Sequence, residues 1–393
     1  LNSPTSIKPC FTTTNLTPGV PVHLKFTDVN KAFYRIVDGI SSGIFPTSRL
    51  PSRNGDVIMV GEPVTVTYTH PQRRVLFNAA RDANPFFHLY ESLWMLAGRN
   101  DVAPLAYYNS RISGYSDDGE TFNGAYGYRW RNHRDMRVNA AGELEPGPKI
   151  DQLAKLVAHL RDQPNSRRAV LQMWNVEDDL LKIDASKDVC CNLSVMFSLS
   201  YKGAHNPRLD MTVTNRSNDL LWGMLGANVV HFSFLQEYMA AKLGAEVGKY
   251  HHFTNNLHVY TANWDPKKLL DEYVNWSMHS PPVVRYEELH LVPLVSDMAA
   301  LDIEMPLFVQ INSHADDITG IVRWREPFLD LVAQPMCRAF HLFKAGDLDA
   351  AMFWADGVKS EDWRHAATQW LSRRIRKRKE KQSGSIQTSP NEA

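Results

Sequence analysis

Apolar and polar residues alternate along several stretches of this chain, and those stretches define its first predicted elements. Val57-Ile58-Met59-Val60 is a short apolar run, and Val64, Val66 and Tyr68 alternate with threonines after the Gly61-Glu62-Pro63 break, which predicts strands. Ala169 to Trp174 is strand-like. Leu193, Val195, Phe197, Leu199 and Tyr201 alternate with smaller or polar residues; after the turn-forming segment Gly203-Ala204-His205-Asn206-Pro207, Leu209, Met211 and Val213 alternate again. The pattern is that of a hairpin with Cys191 at the head of its first strand. Phe86 to Leu96 is apolar at helical spacing and carries one acid, Glu91, among Leu89, Leu93, Trp94 and Leu96. Val229 to Leu243 is apolar nearly all round, as in a helix inside a large core.

The ends read differently from the middle. Residues 1–28 are rich in Ser, Thr, Pro and Asn and are expected to form an extension, with the core starting near Val29. A core domain over 29–295 is followed by an aromatic, helix-forming region over 296–372, with Trp324, Phe328, Phe340, Trp363 and Trp370, which should pack on the core. Residues 373–393 begin with Arg373-Arg374-Ile375-Arg376-Lys377-Arg378-Lys379 and are expected to be a basic, disordered tail beyond a fraying helix.

Composition narrows the possibilities. With 393 residues, 44% of them hydrophobic and 22% charged, the chain can bury a sizeable core. Lys plus Arg equals Asp plus Glu at 43 each, so nothing global argues for a nucleic-acid partner or an anionic membrane. No apolar run reaches the roughly 20 residues of a membrane-spanning helix. The four cysteines, Cys10, Cys190, Cys191 and Cys337, include an adjacent pair that cannot form an ordinary disulfide, so a reducing, cytoplasmic setting is expected. His251, His252 and His258 lack a Cys or acid at zinc-ligand spacing, and no metal is expected.

One chemistry among those such residue types could serve is nucleophilic catalysis at a pyrimidine ring. Carbon 5 of a uracil or cytosine ring is a poor nucleophile until a thiolate adds to carbon 6 and makes the ring enolate-like. Such a reaction needs a cysteine, groups that stabilise charge on the ring oxygen, a proton shuttle and cations for a phosphate. Cys191 alone would more often be a structural cysteine, paired arginines are usually solvated, and a lone buried acid can have a structural partner. Their joint order reverses those priors.

Asp188-Val189-Cys190-Cys191-Asn192-Leu193, followed by Asn215-Arg216-Ser217-Asn218-Asp219, resembles the nucleophile strand and the Arg-Ser-x-Asp signature of thymidylate synthases. Ser166-Arg167-Arg168 before Trp174-Asn175-Val176, Glu91-Ser92-Leu93-Trp94, Gly124 to Arg131 and Asn256-Leu257-His258-Val259-Tyr260 match further motifs of that family in order. The resemblance covers about 29–295 and implies an α/β fold, a mixed sheet flanked by helices, in a homodimer. It implies Cys191 as nucleophile, with Arg216 lowering its pKa, and Glu91, Tyr126 and Asp219 as the other catalytic groups. Arg53, Arg167, Arg168 and Arg216, with Ser217, would hold the phosphate, the paired arginines reaching across the dimer. His258 and Tyr260 would hold the sugar, and Asn228 would read the base as uracil, although counting forward from Arg216 lands on Ala227 and implies one inserted residue. Ile112, Asp219, Trp222 and Gly223 would contact the co-substrate, 5,10-methylenetetrahydrofolate.

Two departures bear on the product. Methyl-forming members shield an exocyclic methylene with a tryptophan and a closing apolar C-terminus; here Ile112-Ser113-Gly114-Tyr115 puts Ser113 at the tryptophan position, and the end is basic. Trp222 to Asn228 resembles a divergent branch with many bacteriophage enzymes. The expected product is therefore 5-hydroxymethyldeoxyuridylate. The rivals are a thymidylate synthase making thymidylate and dihydrofolate, a deoxycytidylate hydroxymethylase or methylase, and an inactive nucleotide- or RNA-binding member.

Overall fold

A computed structural model describes residues 22–386, apart from 135, 202–205, 263, 266, 270, 272–283 and 315–321. In chain order the elements leading to the site are β1 (Val22–Phe26), α1 (Val29–Ser41), β2 (Thr47–Leu50), β3 (Val57–Val60), β4 (Val64–Tyr68), α2 (Pro85–Leu96), α3 (Val102–Tyr108) and α4 (Tyr126–Asn132). There follow β5 (Met136–Val138), β6 (Leu144–Pro146), α5 (Gln152–Asp162), β7 (Val170–Gln172), β8 (Asn192–Ser200), β9 (Arg208–Asn215), β10 (Asn218–Asp219), α6 (Asn228–Leu243), β11 (Glu246–Thr254) and β12 (Leu257–Tyr260).

The principal sheet is mixed, in the order β1-β4-β11-β9-β8-β7, with β1/β4 and β11/β9 parallel and the other pairs antiparallel. A second sheet, β10-β12-β3-β2, lies beside it and is short. Alternation decides which side of the hairpin is buried: Val195 and Phe197 on β8 and Leu209, Met211 and Val213 on β9 face the core, while Met196 faces out. α6 is buried along most of its length, as its uniform apolarity requires.

The helix carrying Glu91 is fixed at both ends and on its outer side. Asn84 caps α2 by accepting from the Phe87 N–H, and Pro85 occupies the first turn, where its missing N–H costs nothing. Helix Met298–Ile311 receives the Tyr90 hydroxyl at the Val309 carbonyl, 2.7 Å away. Phe86 packs against Phe340 and Trp370, each with ring centroids at 5.4 Å. The aromatic C-terminal helices thus share one hydrophobic core with the sheet.

Two boundaries differ from expectation. The core already includes Val22–Phe26, ahead of the expected start near Val29, because β1 pairs in parallel with β4 and Asp28 then caps α1, and residues 1–21 of the expected extension lie outside the described residues. The basic segment from Arg373 continues the helix Glu361–Ile386, and residues 387–393 of the expected tail lie outside the described residues. Its first arginines are anchored: Arg373 and Arg374 both bind Asp82, and Arg374 stacks on Trp370 at 4.0 Å. No helix among the described residues is long and apolar enough to cross a membrane.

Candidate active site

Cys191 stands immediately before β8, where the chain bends into the sheet, so its thiol sits at the strand's end rather than on either face. Arg216, at the end of β9, reaches back to it: Nη2 lies 3.5 Å from Sγ, while Nε and Nη2 donate to the Cys190 and Val189 carbonyls at 2.9 Å. β8 and β9 are hairpin partners, so their pairing brings the nucleophile strand and the Arg-Ser signature together. Arg53 arrives from the loop between β2 and β3 and donates to the Ser186 and Lys187 carbonyls.

Burial outweighs the expected lowering of the thiol pKa by Arg216. Burial pushes the Cys191 thiol above its ordinary value; Arg216 and, more weakly, Arg53 pull it back, while Asp188 adds to the rise. Alkylation of Cys191 by iodoacetamide should therefore accelerate with pH through a midpoint above that of an ordinary thiol. A midpoint at or below the ordinary value would show that the cations outweigh burial. Cys190 is fully buried, pushed up by the same cause, and its thiol donates to the Asn192 carbonyl, which marks it as the structural neighbour.

Tyr126 begins α4 within electrostatic reach of Cys191, Cys190 and Asp188, and burial with those neighbours keeps its phenol protonated. Its helix is packed hard onto α2: a Cβ at Gly127 would come 2.0 Å from the Met95 carbonyl oxygen, so only glycine allows that approach.

On the other side of the site, β10 pairs with β12 so that Asp219 lies opposite His258. Asp219 accepts from the Leu221 and Trp222 N–H groups at 2.7 and 2.5 Å, while its Oδ2 is buried with no hydrogen-bond partner among the described residues. Burial raises the Asp219 carboxyl and lowers the His258 imidazole, while the charge of each partner pulls the other way. His258 and Tyr260 meet edge to face at 5.2 Å. Tyr115, in the turn Ser110–Tyr115 with Ile112 and Ser113, is pushed up by burial and by Tyr260, Asp219 and Cys191, which places that turn over the same site. Ser217 follows Arg216 at the turn into β10.

The stretch where one inserted residue was expected is irregular. Leu220–Ala227 forms a π-type segment, and a π-turn absorbs an added residue without breaking the helix that follows. Asn228 starts α6 just after it and donates from Nδ2 to Asn218 Oδ1 at 3.2 Å.

Two residues were not singled out from sequence. His231, one turn beyond Asn228 on α6, has Nε2 2.9 Å from Glu91 Oε2, although neither atom has hydrogen-bond geometry toward a protein partner. Arg81, invisible as an isolated arginine, donates from Nε to the Leu221 carbonyl and lies against Trp222 and Trp264 at 4.8 and 5.4 Å. Burial lowers it to about 10, which still leaves a cation at neutral pH beside Asp219. The pattern that would have revealed both is their place on the inner faces of the elements around Glu91 and Trp222.

Arg167 and Arg168 do not join this cluster. Both are exposed on the segment before β7, the edge strand of the sheet, and neither is ion-paired among the described residues. The three histidines are used separately: His251 bonds to Thr67, His252 to Tyr250 and Asn218, and His258 to Asn256.

A mixed α/β scaffold with a cysteine, arginines, a buried acid and an imidazole facing one site is that of a transferase. Residues 75–305 match the family model described as thymidylate synthase. The chain is 42% identical over 338 residues to a deoxyuridylate hydroxymethyltransferase of Pseudomonas phage M6, covering 84% of this chain and 89% of that protein. It is also 41% identical over 234 residues to a protein of the same name in Bacillus phage SP01, covering 58% of each. The chain belongs to the thymidylate synthase family.

Proposed function

We propose that this enzyme transfers a hydroxymethyl group to carbon 5 of deoxyuridylate, yielding 5-hydroxymethyldeoxyuridylate and tetrahydrofolate. 5,10-Methylenetetrahydrofolate supplies the one-carbon unit. Arg53 and Arg216 bind the phosphate, His258 and Tyr260 the sugar, and Asn228 the base. Cys191 adds to carbon 6 and raises electron density at carbon 5, which takes up the one-carbon unit. Glu91 and Tyr126 move protons at the ring, and loss of the carbon 5 proton with departure of tetrahydrofolate from the one-carbon unit gives an exocyclic methylene on the nucleotide. Water adds to that methylene, and departure of Cys191 frees the product. Trp222, Gly223, Ile112 and Asp219 suit a flat, polar-edged co-substrate: an exposed indole, a short glycine, an aliphatic side chain and an unpaired carboxyl oxygen.

The observation that carries the choice of product is Ser113. It is exposed and its hydroxyl is turned back to the Ser110 carbonyl at 2.8 Å, so no ring at this position screens the methylene from water. The names of the phage relatives agree. Incubation with deoxyuridylate and 5,10-methylenetetrahydrofolate, read by mass spectrometry, should give a hydroxymethyl product with no dihydrofolate. A methyl product with dihydrofolate would instead make this a divergent thymidylate synthase.

A homodimer completes the reading. Val170 and Met196, paired in register on β7 and β8, expose apolar surface next to Arg167 and Arg168. A second copy on that face would receive both guanidiniums at its phosphate site, so sedimentation should give twice the chain mass. A monomer with full activity would remove Arg167 and Arg168 from the mechanism.

Asn228→Asp should shift preference from deoxyuridylate toward deoxycytidylate by about tenfold or more, because a carboxylate accepts from the cytosine amino group and repels uracil oxygen 4. The ratio of kcat/KM for the two nucleotides measures it, and an unchanged ratio would move base reading elsewhere.

A further inference from the structure

Behind Asn228 runs a buried chain of polar side chains that reaches no solvent. Asn228 Nδ2 donates to Asn218 Oδ1 at 3.2 Å, Asn218 Nδ2 lies 2.8 Å from His252 Nε2, and His252 Nδ1 lies 2.8 Å from the Tyr250 hydroxyl. His252 and Tyr250 are wholly buried, and Asn218 nearly so. Gly223 adjoins the chain at its open end: a Cβ there would fall 2.0 Å from Asn218 Oδ1 and 3.1 Å from Asn228 Nδ2. Any side chain at 223 would displace the first link.

We propose that the preference for uracil over cytosine is set by this relay, with Asn218 and His252 as positioning residues that hold the Asn228 amide in one of its two orientations. The inference rests on the reading of Asn228 as the base-contacting residue. An asparagine amide is nearly symmetric in shape, yet its two orientations read opposite bases. With Nδ2 turned to Asn218, the remaining N–H and Oδ1 of Asn228 present a donor for oxygen 4 and an acceptor for the N3–H of uracil. Turned over, the same amide presents an acceptor for the cytosine amino group and a donor for its N3.

What forbids the turn is the next link. Reversing Asn228 alone would set its carbonyl oxygen against that of Asn218, and a buried pair of acceptors without a proton between them costs more than a lost bond. Relief requires turning Asn218 as well, which puts its carbonyl at His252 Nε2. Burial lowers His252 to about 3, so the ring is neutral and carries one proton. In the observed chain Asn218 donates to Nε2, and the ring proton lies on Nδ1 toward the Tyr250 oxygen. Reversing the relay therefore means moving that proton and the Tyr250 hydroxyl together with both amides.

The test compares kcat/KM for deoxyuridylate and deoxycytidylate across substitutions at separate links. Asn218→Leu and His252→Phe should each lower the uracil-to-cytosine ratio by about tenfold or more, because Asn228 or its neighbour is freed to turn. Asn218→Asp should keep the ratio: a carboxylate can only accept, so it still faces the Asn228 N–H while His252 shifts its proton to Nε2. If neither apolar variant folds, Asn218→Ser, whose hydroxyl serves either polarity, carries the same expectation as Asn218→Leu. Unchanged ratios in the relay variants, with a ratio that collapses in Asn228→Ala, would overturn the relay while keeping Asn228 as the base reader. A ratio unchanged in Asn228→Ala as well would overturn the base assignment itself.

Discussion

Cys191→Ser is expected to bind deoxyuridylate and to turn it over at least ~10⁴-fold more slowly, with no covalent nucleotide adduct in the mass spectrum of the protein. The reason is specific to the thiol. Although burial raises its pKa, Arg216 at 3.5 Å can stabilise the thiolate once formed, and sulfur remains a strong nucleophile toward carbon 6. A serine hydroxyl ionises far less readily, and Arg216, already donating to the Cys190 and Val189 carbonyls, is not a base that could activate it. Exchange of the carbon 5 hydrogen with solvent, which needs the adduct but no folate, should vanish in parallel. Retained exchange or turnover would remove Cys191 as nucleophile, and loss of nucleotide binding would instead indicate that the thiol supports the site's structure.

Glu91→Gln should lower kcat by about 10²–10⁴ while the affinity for deoxyuridylate changes little, since the amide keeps the size and polarity of the carboxyl but cannot take a proton. The geometry around Glu91 supports the proposed proton-handling role. Its side chain is only 13% exposed and Oε2 sits 2.9 Å from His231 Nε2, an imidazole contributed by the helix that begins with Asn228. Tyr90 and Phe86 anchor α2 to the C-terminal helices, so Glu91 is held on a rigid element rather than a loop. His231→Phe should reduce kcat in the same direction, less severely, with nucleotide binding retained. Equal losses of kcat and of nucleotide affinity in Glu91→Gln would assign the acid to substrate binding rather than to proton transfer.

Some of this was legible in the amino-acid order. Period-two alternation located β8 and β9, and apolar helical spacing located α2 with Glu91 on it, because pleat and helix geometry impose those periods directly on the sequence. The succession Glu91, Gly124 to Arg131, Arg167-Arg168, Cys191, Arg216 to Asp219 and His258 to Tyr260 carried the family resemblance. The strand β1 was missed because its partner β4 lies far along the chain, and a strand's pairing is a long-range property. The anchoring of the basic helix at Arg373 and Arg374 was not legible, because those residues look solvated until Asp82 is brought to them.

The sequence by itself determined the strongly periodic elements, the family resemblance and the residue types available for chemistry. Only the tertiary structure decided which of them meet. The net rise of the Cys191 pKa, the pairing of Glu91 with His231, the place of Arg81 against Trp222 and the relay from Asn228 to Tyr250 all depend on burial and on distances of a few ångströms between residues remote in the chain. Electrostatic cost and hydrogen-bond polarity are functions of those distances and of the dielectric around them, neither of which a linear order specifies.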